Sequence, residues 1–225
     1  MIYPEVCPFC GQISKNGICS TCREKLPYIK EPVCFCCGKP LEREETEYCM
    51  DCSGTIHYFE QGKSLFLHRS PVSEAVYRFK FKNQRVYGRV FAKELAGRYG
   101  EQIRRWKVEA LIPIPLFWKK RRKRGYNQAE VLARYLSKET GIPVEDRALL
   151  RIRQTHPQKT LDPRERRRNL QNAFAVSGKW DPPKCVLILD DIYTTGSTIN
   201  KAAKMLKKAG VQKVYFLTIS IGQGL

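Results

Sequence analysis

Nine consecutive residues of this 225-residue chain, Asp190-Asp191-Ile192-Tyr193-Thr194-Thr195-Gly196-Ser197-Thr198, join two carboxylates to a hydroxyl-rich turn. The carboxylates can accept hydrogen bonds from neighbouring sugar hydroxyls or orient a hydrated magnesium ion. Where such a turn opens a helix, backbone N–H groups, Thr and Ser hydroxyls and a glycine that permits close approach form a cradle for a phosphate dianion. Asp190, Asp191, Thr194, Thr195, Gly196, Ser197 and Thr198 are therefore the candidate ligand-binding residues.

A second chemistry rests on sulfur. Cys7 with Cys10, Cys19 with Cys22, Cys34 with Cys37, and Cys49 with Cys52 form four C-x-x-C knuckles. Each can bring two thiolates onto one tetrahedral ion, so two structural four-thiolate zinc sites are available, paired either sequentially or in interleaved fashion. Cys36 lies between two of these ligands and is spare; Cys185, at the start of an apolar run, reads as a core thiol. His57 follows the last knuckle closely, whereas His68 and His156 stand apart, and packing or surface roles suffice for all three. Nine of the ten cysteines lie at or before Cys52. An odd cluster of this kind fits metal in a reducing compartment better than a disulfide framework.

A third candidate is the unbroken cationic run Lys119, Lys120, Arg121, Arg122, Lys123 and Arg124. It can face either pyrophosphate or a nucleic-acid backbone, with Trp118 beside it able to stack on a base. The whole chain shares this bias, with 41 Lys and Arg against 22 Asp and Glu, a formal charge of +19. Eight thiolates around two divalent ions would leave about +15, still a field that concentrates phosphorylated metabolites, nucleic acid or an acidic membrane surface. No apolar run approaches the length of a bilayer span, and no stretch has the pattern of a secretory signal. A cytoplasmic location without an integral membrane segment is expected.

These groups need elements to hold them. Composition changes near residue 57, which divides the chain into a double zinc-binding module over 1–57 and an α/β domain over 58–225, with residues 63–68 a candidate first strand. Residues 72–81 and 90–103 carry helical patterns, and residues 110–115 form a short apolar strand running into prolines. Asn127, with Glu130 three residues on, opens a helix that Gly141 ends. Residues 186–189 are a continuous apolar run suited to a parallel strand covered on both faces, followed by a helix up to Gly210 and a strand over 214–219. Strand, helix, strand in alternation predicts right-handed crossovers and a mostly parallel sheet flanked by helices. Open sheets of this class place ligands at the carboxyl ends of their strands, where Asp190 and Asp191 stand.

The run from Val186 to Thr198 closely resembles the phosphoribosyl pyrophosphate motif of type I phosphoribosyltransferases. In that family the two acids meet the ribose hydroxyls and the loop holds the 5-phosphate. The resemblance implies those roles for Asp190, Asp191 and residues 194–198, with magnesium accompanying the donor; Tyr193 departs from the family's usual aliphatic residue. Pro113-Ile114-Pro115, Arg124-Gly125-Tyr126-Asn127-Gln128, then Gln158, Leu161, Arg166, Asn169 and Phe174, together with the Cys-rich start, resemble the ComF family of competence-associated proteins over nearly the whole chain. That resemblance implies natural transformation, the handling of incoming single-stranded DNA, and competence DNA-uptake proteins as partners.

Within such a domain the segment after Pro115 takes the place of the family's pyrophosphate loop. Residues 154–169 resemble the mobile hood, making Arg121, Arg122, Lys123, Arg124 and Arg166 the candidates for pyrophosphate or DNA. Two other readings stay open at the level of sequence. One is a nucleobase-salvage phosphoribosyltransferase whose acceptor no residue set identifies; the other is a zinc-dependent nucleic-acid binder whose α/β domain senses the ligand.

Overall fold

The computed structural model of the protein describes residues 6–15, 17–153 and 173–222. Two single-turn helices, α1 (Ser20–Lys25) and α2 (Met50–Ser53), belong to the Cys-rich region. Beyond it come β1 (Gln61–Leu67), α3 (Val72–Phe81), α4 (Tyr87–Arg105), β2 (Ala110–Pro113), α5 (Trp118–Arg124) and α6 (Gln128–Thr140). They are followed by β3 (Leu149–Arg151), β4 (Phe174–Val176), β5 (Cys185–Tyr193), α7 (Ser197–Lys208) and β6 (Lys213–Ile221).

The main sheet is parallel throughout, in the order β1-β6-β5-β2. Its central strands are buried on both faces, as the apolar run over 186–189 predicts. One face packs against α3, α4 and α6 through Phe79, Phe91, Leu95 and Leu132; the other is covered by Ile199, Ala202, Ala203 and Leu206 of α7. β5 runs four residues past the apolar stretch because β6 continues to pair with it as far as Tyr193 and Ile221.

Some elements differ from their sequence-based outlines. The cationic run, expected as a loop, is helix α5. Lys and Arg are good helix formers and the run has no β-branched residue, and Gly125 at φ +81° terminates the helix in the left-handed conformation. Asn127 caps α6 by accepting from the Ala129 amide at 3.2 Å, but Glu130 pairs with Arg121 and Arg134 instead of completing a capping box. β3 and β4 form a short antiparallel ladder apart from the main sheet.

The Cys-rich region is built into both faces of the sheet. Residues 27–29 run antiparallel along the outer edge of β1, with the Ile29 amide donating to the Leu65 carbonyl (3.0 Å) and the Leu67 amide to the Pro27 carbonyl (2.9 Å). The Gly62 amide donates to the Cys36 carbonyl at 2.8 Å. An otherwise open sheet edge is thereby paired. The first half of the region packs Phe9 against Phe66 and Phe91, and Arg23 grips Glu94 with both terminal nitrogens. The second half packs Val33 and its cysteines on the opposite face, with Phe59 and Phe216.

Phe216 of β6 lies directly over Gly62 of the neighbouring strand, where an added methyl would come within 1.9 Å of the ring. Glycine weakens a strand in general; here it makes room for a buried aromatic. Gly62→Ala should lower stability by about 1–3 kcal/mol, the usual cost of overpacking. Urea denaturation would show this as a lower midpoint at unchanged slope, and an unchanged midpoint would mean that the ring has another place to go.

Candidate functional site

β5 delivers Asp190 and Asp191 to the carboxyl end of the sheet, and both are buried. Burial, reinforced by the neighbouring Asp191, pushes the Asp190 carboxyl up to about 8, against the opposing pull of Lys80. Asp190 Oδ1 accepts from the Asp191 amide at 2.9 Å. Asp191 Oδ2 lies 2.9 Å from Lys80 Nζ, an ion pair out of hydrogen-bond alignment that leaves this buried oxygen without a hydrogen-bond donor. Such an oxygen is suited to accept from a ligand hydroxyl or from water on a magnesium ion.

The turn after Tyr193 enters α7 through Gly196 at φ +72°, with no side chain capping the helix. The first amides of a twelve-residue helix therefore face the turn, the arrangement that holds phosphate. Thr194 and Thr195 are exposed, and Thr195 Oγ1 lies 2.8 Å from Ser197 Oγ. Tyr193 supports the turn from beneath: its ring stacks on Phe216 at 4.7 Å, nearly parallel, and Phe59 meets both rings edge-on. A Cβ at Gly196 would sit 2.3 Å from the Tyr193 hydroxyl, so glycine is required here by space as well as by φ.

The fold adds cations that no sequence motif marks. Lys80 comes from α3, Arg151 from β3 and Lys201 from α7. Burial, with Arg151 nearby, lowers Lys201 to about 8, and Arg151 is itself lowered by burial while Asp190 opposes. Lys120 of α5 is lowered by burial, then by Arg151 and Arg124, which joins the basic helix electrostatically to the carboxylate end of β5. Of the cations expected to face an anion, Arg122 and Lys123 are exposed, whereas Arg121 pairs with Glu130 at 3.1 Å. Arg124 donates to Gln128 and covers the Phe81 ring at 4.6 Å. Arg166, Gln158, Leu161, Asn169 and the rest of the expected hood lie outside the described residues.

The thiols resolve into sequential groups, Cys7, Cys10, Cys19 and Cys22 in one and Cys34, Cys37, Cys49 and Cys52 in the other. The same knuckle is built twice. The Cys7 and Cys34 amides donate to the carbonyls of Gln12 and Lys39, and Gly11 and Gly38 turn back at φ +77° and +73°. Cys10 and Cys19 sulfurs are 3.7 Å apart, and those of Cys37 and Cys49 are 3.6 Å apart. A tetrahedron of thiolates with bonds of about 2.3 Å has edges of about 3.8 Å, so the spacing suits a shared ion and is far too wide for a disulfide. A hydrogen bond from Cys37 lowers Cys34 to about 4, while the same contact and burial push Cys37 up. A divalent ion removes that competition by letting both ionise.

Residues 1–53 match a family described as the double zinc ribbon domain, and the two groups are accordingly four-thiolate zinc sites. Over nearly the whole chain the protein is similar to "Competence protein F" of Haemophilus influenzae, with 36% identity covering 90% of this chain and 89% of the relative. It is 26% identical to "Competence protein ComFC" of Bacillus subtilis, covering 86% of this chain and 79% of the relative. A third relative, "DNA utilization protein YhgH" of Salmonella typhimurium, is 27% identical over 94% of each chain. No helix among the described residues is long and apolar enough to cross a membrane.

The raised Asp190 carboxyl has a consequence for stability. Between the unfolded value near 3.8 and the folded value near 8, the folded chain holds a proton that the unfolded chain has lost. Its contribution is therefore fully present below the unfolded value and is lost as pH rises through the folded one. Asp190→Asn removes this titration. Unfolding free energies measured from pH 4 to 9 should fall less steeply for the variant than for the native chain; parallel curves would show that Asp190 ionises as freely folded as unfolded.

Proposed function

The chain belongs to the ComF family, and on that premise we propose that it is a cytoplasmic competence protein that binds 5-phosphoribosyl pyrophosphate and single-stranded DNA. The observation that carries the donor reading is the β5–α7 connection. There, two buried carboxylates precede a left-handed glycine and an uncapped helix start, which together match a ribose 5-phosphate in charge and reach. The helix amides, with the hydroxyls of Thr194, Thr195, Ser197 and Thr198, receive the phosphate. Asp190 and Asp191 receive the sugar hydroxyls, or hold a hydrated magnesium ion that neutralises the pyrophosphate. Lys80 pairs with Asp191, Arg151 lies in the field of Asp190, and Lys201 stands beside Arg151.

The basic helix α5 supports DNA binding. It presents Arg122 and Lys123 to solvent beside an exposed Trp118, a pairing of cation and stacking surface that suits single strands of any sequence. The curated relatives are named for competence and DNA utilization, which agrees with a role in DNA uptake together with other competence proteins.

Replacing Asp190 and Asp191 together by Ala should weaken magnesium-dependent donor binding by about 1.5–3 kcal/mol or more, the scale of charged hydrogen bonds. Titration calorimetry giving equal affinity for the double variant would remove the site from this turn. For DNA, about four neutralised phosphates give a slope of log affinity against log salt near −3. Because Arg121 is engaged by Glu130, Arg122→Ala with Lys123→Ala should account for most of the local effect, flattening the slope by about 1.4. Loss of donor affinity with an unchanged DNA slope would instead assign α5 to the donor site.

A further inference from the structure

Next to the second zinc site stand two potential ligands that its four thiolates do not need. Cys36 and His57 gather around Cys52 with their ligand atoms and its sulfur all within 4.8 Å of one another. Both ring nitrogens of His57 are buried and make no hydrogen bond among the described residues. The ring is held by its face against Phe59, with centroids 4.6 Å apart. A buried polar atom left without a partner is costly, and an ion is one of the few explanations for such a group in a folded protein.

We propose that Cys36, Cys52 and His57 form a third metal site for a thiophilic d10 cation of the zinc class, with the Cys52 thiolate bridging it to the ion held by Cys34, Cys37 and Cys49. Three ligands at about 2.0–2.3 Å from one tetrahedral ion stand about 3.3–3.8 Å apart, within reach of the observed separations by small side-chain rotations. The residue types agree with the metal: two thiolates and an imidazole are donors that zinc accepts together. The Cys36 carbonyl accepts from the Gly62 amide, and Phe59 rests on Phe216, so both spare ligands are carried by backbone fixed to the sheet. With three protein donors and one of them shared, the site is weaker than either four-thiolate centre and leaves a coordination position for water.

The test counts zinc on the full-length, reduced chain equilibrated against metal buffers of increasing free zinc, using elemental analysis and native mass spectrometry. Bound zinc should rise from two ions to three per chain. The third should be lost, with the first two retained, in Cys36→Ala and in His57→Gln, while Cys185→Ala, a buried thiol far from the cluster in sequence, should keep all three. Saturation of the native chain at two ions would overturn the proposal. So would a third ion that persists in both variants, which marks adventitious surface binding. A variant that retains fewer than two ions with its native circular dichroism intact would place Cys36 or His57 in the four-ligand centre itself and equally overturn the shared-thiolate arrangement.

Discussion

A column of contact from Gly62 through Phe216 and Tyr193 to Gly196 holds the molecule together toward the carboxyl end of its sheet. Two parallel rings stack only because the strand on one side and the turn on the other lack a Cβ. The column ties the edge strand β1 to β6, and β6 to the turn that closes on α7. Phe59, which follows the second ribbon in the chain, meets both rings edge-on and so brings the metal-bound region into the same contact. Dispersion and apolar burial supply the energy, but glycine at two fixed places supplies the geometry.

Around that column the electrostatics are arranged in opposition. Burial raises the cost of charge on Asp190, and Lys80 and Arg151 are drawn from two separate elements toward the carboxylate end of β5, with Lys201 of a third beside Arg151. Asp191 Oδ2 is buried without a hydrogen-bond donor, which leaves one acceptor of the pair open. A hydroxyl donor carried on an anion would meet that oxygen and the neighbouring positive charge together. The wider positive charge of the chain extends this field outward through Lys120 to α5.

Much of this was legible in the residues. The Cys-x-x-Cys knuckles announce themselves because metal geometry demands fixed spacing, and the β5–α7 turn does so because strand, acids, glycine and helix are contiguous. What could not be read was whatever depends on chain segments meeting across the fold. Lys80, Arg151 and Lys201 are ordinary cations on their own elements. His57 reads as a packing residue until the second ribbon folds back and brings Cys36 and Cys52 to it. Tyr193, an irregularity in the β5–α7 motif, becomes intelligible only beside Phe216. The cationic run is a helix where the resemblance implies a loop, because Lys and Arg propagate a helix readily until Gly125 stops it.

The strand order β1-β6-β5-β2 places β6, the last of these strands along the chain, between the first and the other two. During synthesis the ribbons and β1 emerge early, yet they have no neighbour in the sheet until residues 213–221 arrive. Over that interval residues 27–29 can already pair with the outer edge of β1, while the inner edge remains open. Metal captured by the nascent ribbons would then act as a holding device, keeping the first strand paired on one side and out of reach of other chains until its permanent partner is made.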